Sequence, residues 1–136
     1  MALKLEIVTP AGRLLEREAS AVYLPTEMGE IGVLPGHIPL TTLIDAGELR
    51  LNDGAEEDAY VIGRGFALIE NDRVSVLTDH AIDEDAIDTD AVEEARRRAE
   101  EALAKKDSLD PAEVERLESV VRFSVAQIAA AAKKRR

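Results

Sequence analysis

The character of this 136-residue chain changes abruptly near Ala86, and that break limits the folds open to it. All eight glycines and four of the five prolines precede residue 70, whereas residues 87–136 hold no glycine, one proline and eleven alanines. Glycine and proline punctuate turns and are costly inside helices, while alanine is the best helix former. The break therefore predicts an α+β chain, mainly β, with strands and turns over 1–86 and helices over 87–136. Charge divides at the same place. Residues 1–86 carry 6 bases against 17 acids and residues 87–136 carry 11 of each, so the whole net charge of −11 sits on the β part.

Within that part, short alternating or β-branched runs are separated by turn chemistry at close intervals, the habit of an antiparallel sandwich. Thr9-Pro10-Ala11-Gly12 separates runs at 3–8 and 13–18, and Pro25-Thr26-Glu27-Met28-Gly29 separates 20–24 from 30–34. Asn52-Asp53-Gly54 should turn 48–51 back onto 58–62, and Glu70-Asn71-Asp72 should join 66–69 to 73–78. The expectation is about ten strands.

The second part takes a helical period. Val92, Ala95, Ala99 and Leu103 form one stripe, and Val114, Leu117, Val121, Val125 and Ile128 another. Asp88, Thr89 or Asp90 is placed to cap the first helix, and Asp110 caps a second whose first residue is Pro111. That second helix should reach about residue 133, with 107–109 as the bend of an antiparallel hairpin. Glu93 with Arg97 and Glu94 with Arg98 are spaced to pair along the solvated face. The seam is mostly Ala and Val, so each contact removes little apolar area and the helices should separate easily.

Several chemistries are disfavoured. The chain has no cysteine, hence no disulfide, thiol nucleophile or zinc-thiolate site. Aromatic residues make up 3% of it and its balance is acidic, which argues against nucleic-acid binding. No run of about 18 apolar residues could cross a bilayer, so no direct lipid insertion is expected. Gly63-Arg64-Gly65 lacks the third glycine and following helix of a dinucleotide fingerprint, and reads as a bulge or tight turn. Asp83, Asp85 and Glu94 occupy three places of a calcium loop, but Asp88 stands where its glycine is needed, so no metal is expected. No nucleophile, base and orienting group converge, and no catalytic residue is assigned. After Glu118 there is no acid, while Arg122, Lys133, Lys134, Arg135 and Arg136 remain, a polarity suited to an acidic docking site.

The segment Gly29-Glu30-Ile31-Gly32-Val33-Leu34-Pro35-Gly36-His37-Ile38-Pro39-Leu40 resembles a signature of the epsilon subunit of F-type, proton-translocating ATP synthases. The start Leu5-Glu6-Ile7-Val8-Thr9-Pro10, the segments Val61-Ile62-Gly63-Arg64-Gly65-Phe66 and Val74-Ser75-Val76-Leu77-Thr78, and the ending with Arg122-Phe123-Ser124-Val125-Ala126 extend the likeness along the chain. The resemblance implies a non-catalytic rotor subunit of the central stalk that couples proton transport to ATP synthesis. Its amino-terminal sandwich (1–86) would bind the gamma subunit and the c-ring, and its hairpin (87–136) would be regulatory. The protein would sit peripherally on the cytoplasmic face of the bacterial plasma membrane. By matching motif positions, Glu30 and Ile31 would face the c-ring, and His37 and Thr42 the gamma side. The hairpin would extend to the catalytic beta and alpha subunits and restrain ATP hydrolysis through Arg116, Arg122, Lys133, Lys134, Arg135 and Arg136.

Some members of that family bind ATP through Ile-Asp-x-x-Arg-Ala, but the matching stretch here is Ile87-Asp88-Thr89-Asp90-Ala91-Val92. Ala91 and Glu118 stand where two arginines are expected, leaving Asp88 and Arg122 to face a triphosphate, and no cofactor is expected. The competing reading is a free-standing β-sandwich adapter whose helical hairpin binds a partner coiled coil.

Overall fold

The computed structural model describes residues 2–134. Ten strands follow in chain order: β1 (Leu3–Thr9), β2 (Gly12–Ala19), β3 (Ala21–Thr26), β4 (Gly29–Val33), β5 (Leu40–Ile44), β6 (Gly47–Asp53), β7 (Glu56–Ile62), β8 (Gly65–Glu70), β9 (Arg73–Thr78) and β10 (Ala81–Asp83). Hydrogen bonding runs β10-β7-β6-β3-β5-β8-β9-β1-β2, with β4 on the other edge of β3. Every pairing is antiparallel except β1 with β9. The two halves of this ladder meet through the single pair Thr26–Ile44, so they behave as two sheets of a sandwich.

Alternation fills the space between them. Leu3, Leu5 and Ile7 of β1, Val74 and Val76 of β9, and Ala67 and Ile69 of β8 share one buried cluster with Val22, Leu24, Leu49, Leu51 and Ile62 from the other sheet. Arg17 on β2 reaches the β6–β7 hairpin, bonding Asp58 at 2.5 Å and Asp53 at 3.5 Å. The Asp58 hydrogen bond raises the guanidinium pKa. The β8–β9 turn needs left-handed backbone at both central residues, and Asn71 (φ 52°) and Asp72 (φ 59°) supply it, as a type I′ hairpin requires.

Two strands are not evident from periodicity. β5 follows Pro39 without clean alternation, and β10 has only three residues. The run expected at 30–34 is β4, where Glu30 and Ile31 lie opposite Pro25 and Leu24; the turn before it is shorter than the expected 25–29, only Glu27 and Met28.

After a single 3₁₀ turn at Glu84–Ala86 come α1 (Thr89–Leu103) and α2 (Pro111–Lys134). Asp88 caps α1 by accepting from the Ala91 amide at 3.2 Å, and Asp110 caps α2 through the Glu113 amide at 3.1 Å. The helices pack antiparallel, and α2 also packs on β6 and β7. That second contact widens the buried face of α2 beyond the predicted stripe, of which Leu117 is buried and Val114, Val121 and Ile128 are half-buried. Leu117, Ser124, Gln127 and Ala130 are buried, whereas Val125 is left exposed. The expected Glu93–Arg97 pair is also replaced: Arg97 bonds Glu94 and Glu101, each at 2.5 Å, and Glu94 holds Arg98 as well.

Candidate docking surfaces

The outer face of one sheet is apolar where a solvated sheet would be polar. Register places Leu43 of β5, Phe66 of β8, Leu77 of β9 and Val8 of β1 in one row, with Thr41, Leu68 and Ser75 in the next. Leu43 is 57% exposed, Phe66 46% and Leu77 39%. At the other end of the same strands, the 34–39 loop adds exposed Leu34 and Ile38 and is tied to the β8–β9 turn by Asp72, whose Oδ1 accepts the Gly36 amide at 2.7 Å. A contiguous exposed patch of this kind is a docking surface in search of a partner.

His37 lies in that loop, half-buried, with Nδ1 2.6 Å from the Ile38 carbonyl and its amide donating to the Leu34 carbonyl at 3.1 Å. Thr42 pairs with wholly buried Ala67, so it belongs to the inward row; Thr41 and Leu43 are its outward neighbours. The β3–β4 turn forms a separate projection. Met28 at its tip is 97% exposed. Glu30 bonds Arg50 at 2.7 Å, Arg50 lies over the Tyr23 ring at 4.7 Å, and half-buried Ile31 packs on the core. Burial opposes the Arg50 charge, but Glu30 and Glu57 outweigh it and the guanidinium pKa is raised.

Two sets of contacts hold α2 on the sandwich. Midway along the helix, Ser119 donates to Asp79 Oδ2 and Phe123 stacks on His80, centroids 5.0 Å apart and planes 13° from parallel. Gly63 and Gly65 make this corner possible: a Cβ on Gly63 would overlap the Asp79 carboxylate, and one on Gly65 would overlap the Leu77 carbonyl. Asp79 Oδ1 and Arg122 Nε are buried here without hydrogen-bond partners. At its end, Lys133 bonds Glu48 at 3.2 Å and Lys134 bonds Asp85. Between these points an apolar groove of about 520 Å³ runs between Val121, Val125 and Ala129 of α2 and the turn at 45–48.

The remaining predicted residues are distributed along the hairpin. Arg116 bonds Glu113 at 2.6 Å within α2. Arg122 lines a groove with Arg64, Lys106 and Glu118, while Asp88 serves as the α1 cap. Arg135 and Arg136 lie outside the described residues. Leu43, Phe66 and Leu77 were not foreseen as surface features, whereas Met28 falls within the expected 25–29 turn. The available signal was Phe66-Ala67-Leu68-Ile69, a strand apolar on both faces, which implies that both are meant to be covered.

A sandwich with one uncovered apolar face, carrying a helical hairpin fastened by polar contacts, defines a two-part accessory subunit built to dock onto other chains. Residues 2–84 match the family described as ATP synthase, Delta/Epsilon chain, beta-sandwich domain. The chain is 42% identical over 105 residues to the ATP synthase epsilon chain of Prochlorococcus marinus (strain MIT 9515), covering 77% of this chain and 78% of that one. It is 40% identical over 100 residues to the ATP synthase epsilon chain of Bacillus cytotoxicus, covering 74% and 75%. A subunit in the structure of Euglena gracilis mitochondrial ATP synthase, OSCP/F1/c-ring in rotational state 1, superposes with a TM-score of 0.72 at 27% identity, over 95% of this chain and 81% of that one. The fold also matches a chain of the Tetrahymena thermophila mitochondrial ATP synthase central stalk and c-ring, with a TM-score of 0.57 at 11% identity and coverage of 94% and 97%. The chain belongs to the ATP synthase epsilon-chain family, and it is an accessory, non-catalytic subunit. No helix among the described residues is long and apolar enough to cross a membrane.

Proposed function

We propose that this chain couples proton flow through the c-ring to ATP synthesis in the catalytic head, and that its hairpin restrains hydrolysis by that head. The observation that carries the reading is the apolar row Leu43, Phe66 and Leu77 on an otherwise acidic sandwich. It offers the gamma subunit a surface whose burial releases about 25 cal/mol per Å². The loop carrying His37 closes the other end of the same strands, and Thr42 supports the row from the inward side. The separate projection with Met28 at its tip and Glu30 and Ile31 behind it is assigned to the polar loops of the c-ring.

The hairpin would leave the sandwich to reach the catalytic alpha and beta subunits, where Arg116, Arg122 and the basic end meet acidic loops. On this reading the protein would sit peripherally, on the cytoplasmic face of a bacterial plasma membrane. A regulatory ATP would bind weakly, since Glu118 lines the same groove as Arg122 and Asp88 is already engaged by the Ala91 amide.

The test is Phe66→Glu, with Ala55→Glu in the exposed β6–β7 turn of the other sheet as a control outside the row. A central interface residue is worth about 2 kcal/mol or more, so Phe66→Glu should weaken binding to gamma by at least about thirtyfold with little change in Tm. Ala55→Glu should do neither. Equal, small effects of both variants on gamma binding would remove this face from the assembly.

A further inference from the structure

We infer that Glu48 and Asp85 form a receptor for the chain's own C-terminal lysines, an electrostatic clasp that holds α2 on the sandwich and that charge neutralisation opens. The partners come from distant parts of the chain. Glu48 is on β6 and Asp85 in the 3₁₀ turn after β10, while Lys133 and Lys134 are the last described residues of α2. Glu84 lines the same groove, with Arg50, Glu57 and Asp58. Burial, and then the neighbouring Glu48 carboxylate, raise the Glu84 pKa, whereas Lys133 and Lys134 lower it. Three carboxylates crowded on the acidic sandwich are thus partly neutralised by the arriving helix end. Opening would leave them facing one another without those cations.

The two ends of the α2 contact differ in chemistry. The mid-helix point is a stacked ring pair and a hydroxyl–carboxylate bond, with Asp79 and Phe123 half-buried. The lysine side chains are 69% and 52% exposed, so their contacts are open to screening over a Debye length of about 10 Å at 0.1 M salt. Release therefore begins at the C-terminal end, and the Asp79–His80 corner lets go last. The inference rests on the proposal above that the hairpin is movable.

Because the chain has no cysteine, spin labels at Ala55→Cys in the exposed β6–β7 turn and Ala132→Cys on exposed α2 report opening as a long-distance population in the full-length protein. Lys133→Gln with Lys134→Gln should raise the open-to-closed ratio about two- to tenfold at low salt, and added salt should raise it in the parent. Lys133→Glu with Lys134→Glu should raise it further, and adding Glu48→Lys with Asp85→Lys should restore closure. Lys105→Glu with Lys106→Glu, charge reversals elsewhere on the hairpin, should leave the ratio unchanged. Unchanged distances in the lysine variants, no restoration by the swap, or equal opening by the Lys105 and Lys106 reversals would each overturn the clasp. His80→Ala with Ser119→Ala separates the two failures. Opening there but not in the lysine variants overturns the clasp alone, and opening in neither overturns the movable hairpin as well.

Discussion

Glu84 shows how one side chain records the cost of assembling the acidic sandwich. Burial and the proximity of Glu48 raise its pKa above the ordinary 4.5, so the folded chain holds this proton more tightly than the unfolded chain does. For an acid with a raised folded value, the sign follows from linkage: folding is penalised progressively as pH rises from 4.5 through the raised value, and the full penalty stands at neutral pH. Glu84→Gln should therefore stabilise the protein at pH 7 by an amount under about 1 kcal/mol, and should flatten the dependence of Tm on pH just above 4.5. Thermal melts from pH 4 to pH 7 check this; a variant less stable than the parent at pH 7 would mean that Lys133 and Lys134 dominate its surroundings. Glu16 has the opposite sign. Its hydrogen bond with Lys4 lowers its pKa, so that contribution is present above 4.5 and is lost as pH falls through the lowered value.

At the scale of elements, Asp88 tests how far the hairpin stands apart from the sandwich. Its side chain satisfies the Ala91 amide at the start of α1, and β10 has ended at Asp83, so removing the cap should loosen the hairpin with little effect on the sheets. Asp88→Ala should cost about 0.5–2 kcal/mol of helix stability. Hydrogen exchange should quicken in α1 and stay slow in β1, β8 and β9; acceleration in all of them would show a single cooperative unit. The same cap was readable from sequence as one of three neighbouring candidates, Asp88, Thr89 and Asp90, and the second cap at Asp110 with Pro111, the bend and most strands were readable directly, because each rests on chemistry within a few residues. Failures came where distant contacts decide. Ser124 and Gln127 are buried because α2 meets β6 and β7 as well as α1, which no helical period reveals. The expected 25–29 turn shrinks to two residues because Thr26 pairs with Gly29 and Pro25 with Glu30, extending both strands into it. The docking row was half visible, since Phe66 and Leu68 marked an apolar outer face, yet only the ladder brings Leu43 and Leu77 alongside.

Across the whole molecule, the proposed regulation is a competition between two acidic surfaces for one basic helix end. The sandwich supplies one surface, with Glu48 and Asp85 holding Lys133 and Lys134, and the catalytic head would supply the other. A ligand shifts such an equilibrium only by its difference in affinity for the two states, so weakening either surface should move hydrolysis in opposite directions. Glu48→Gln with Asp85→Asn weakens only the closed state and leaves the lysines intact, so it should lower ATPase activity of the assembled head about two- to tenfold. Removing residues 87–136 abolishes the extended state and should raise activity above the parent. Reversing Lys133, Lys134, Arg135 and Arg136 to Glu loosens both attachments, but it also replaces attraction to the head by repulsion, so activity should rise towards that of the truncated chain. Measured at low ionic strength, where exposed charges are least screened, the order of activity should be truncation, basic-end reversal, parent, acidic-patch neutralisation. Activity that is the same in all four would make the hairpin a passive cover, and a rise on neutralising Glu48 and Asp85 would reverse the direction assigned to the switch.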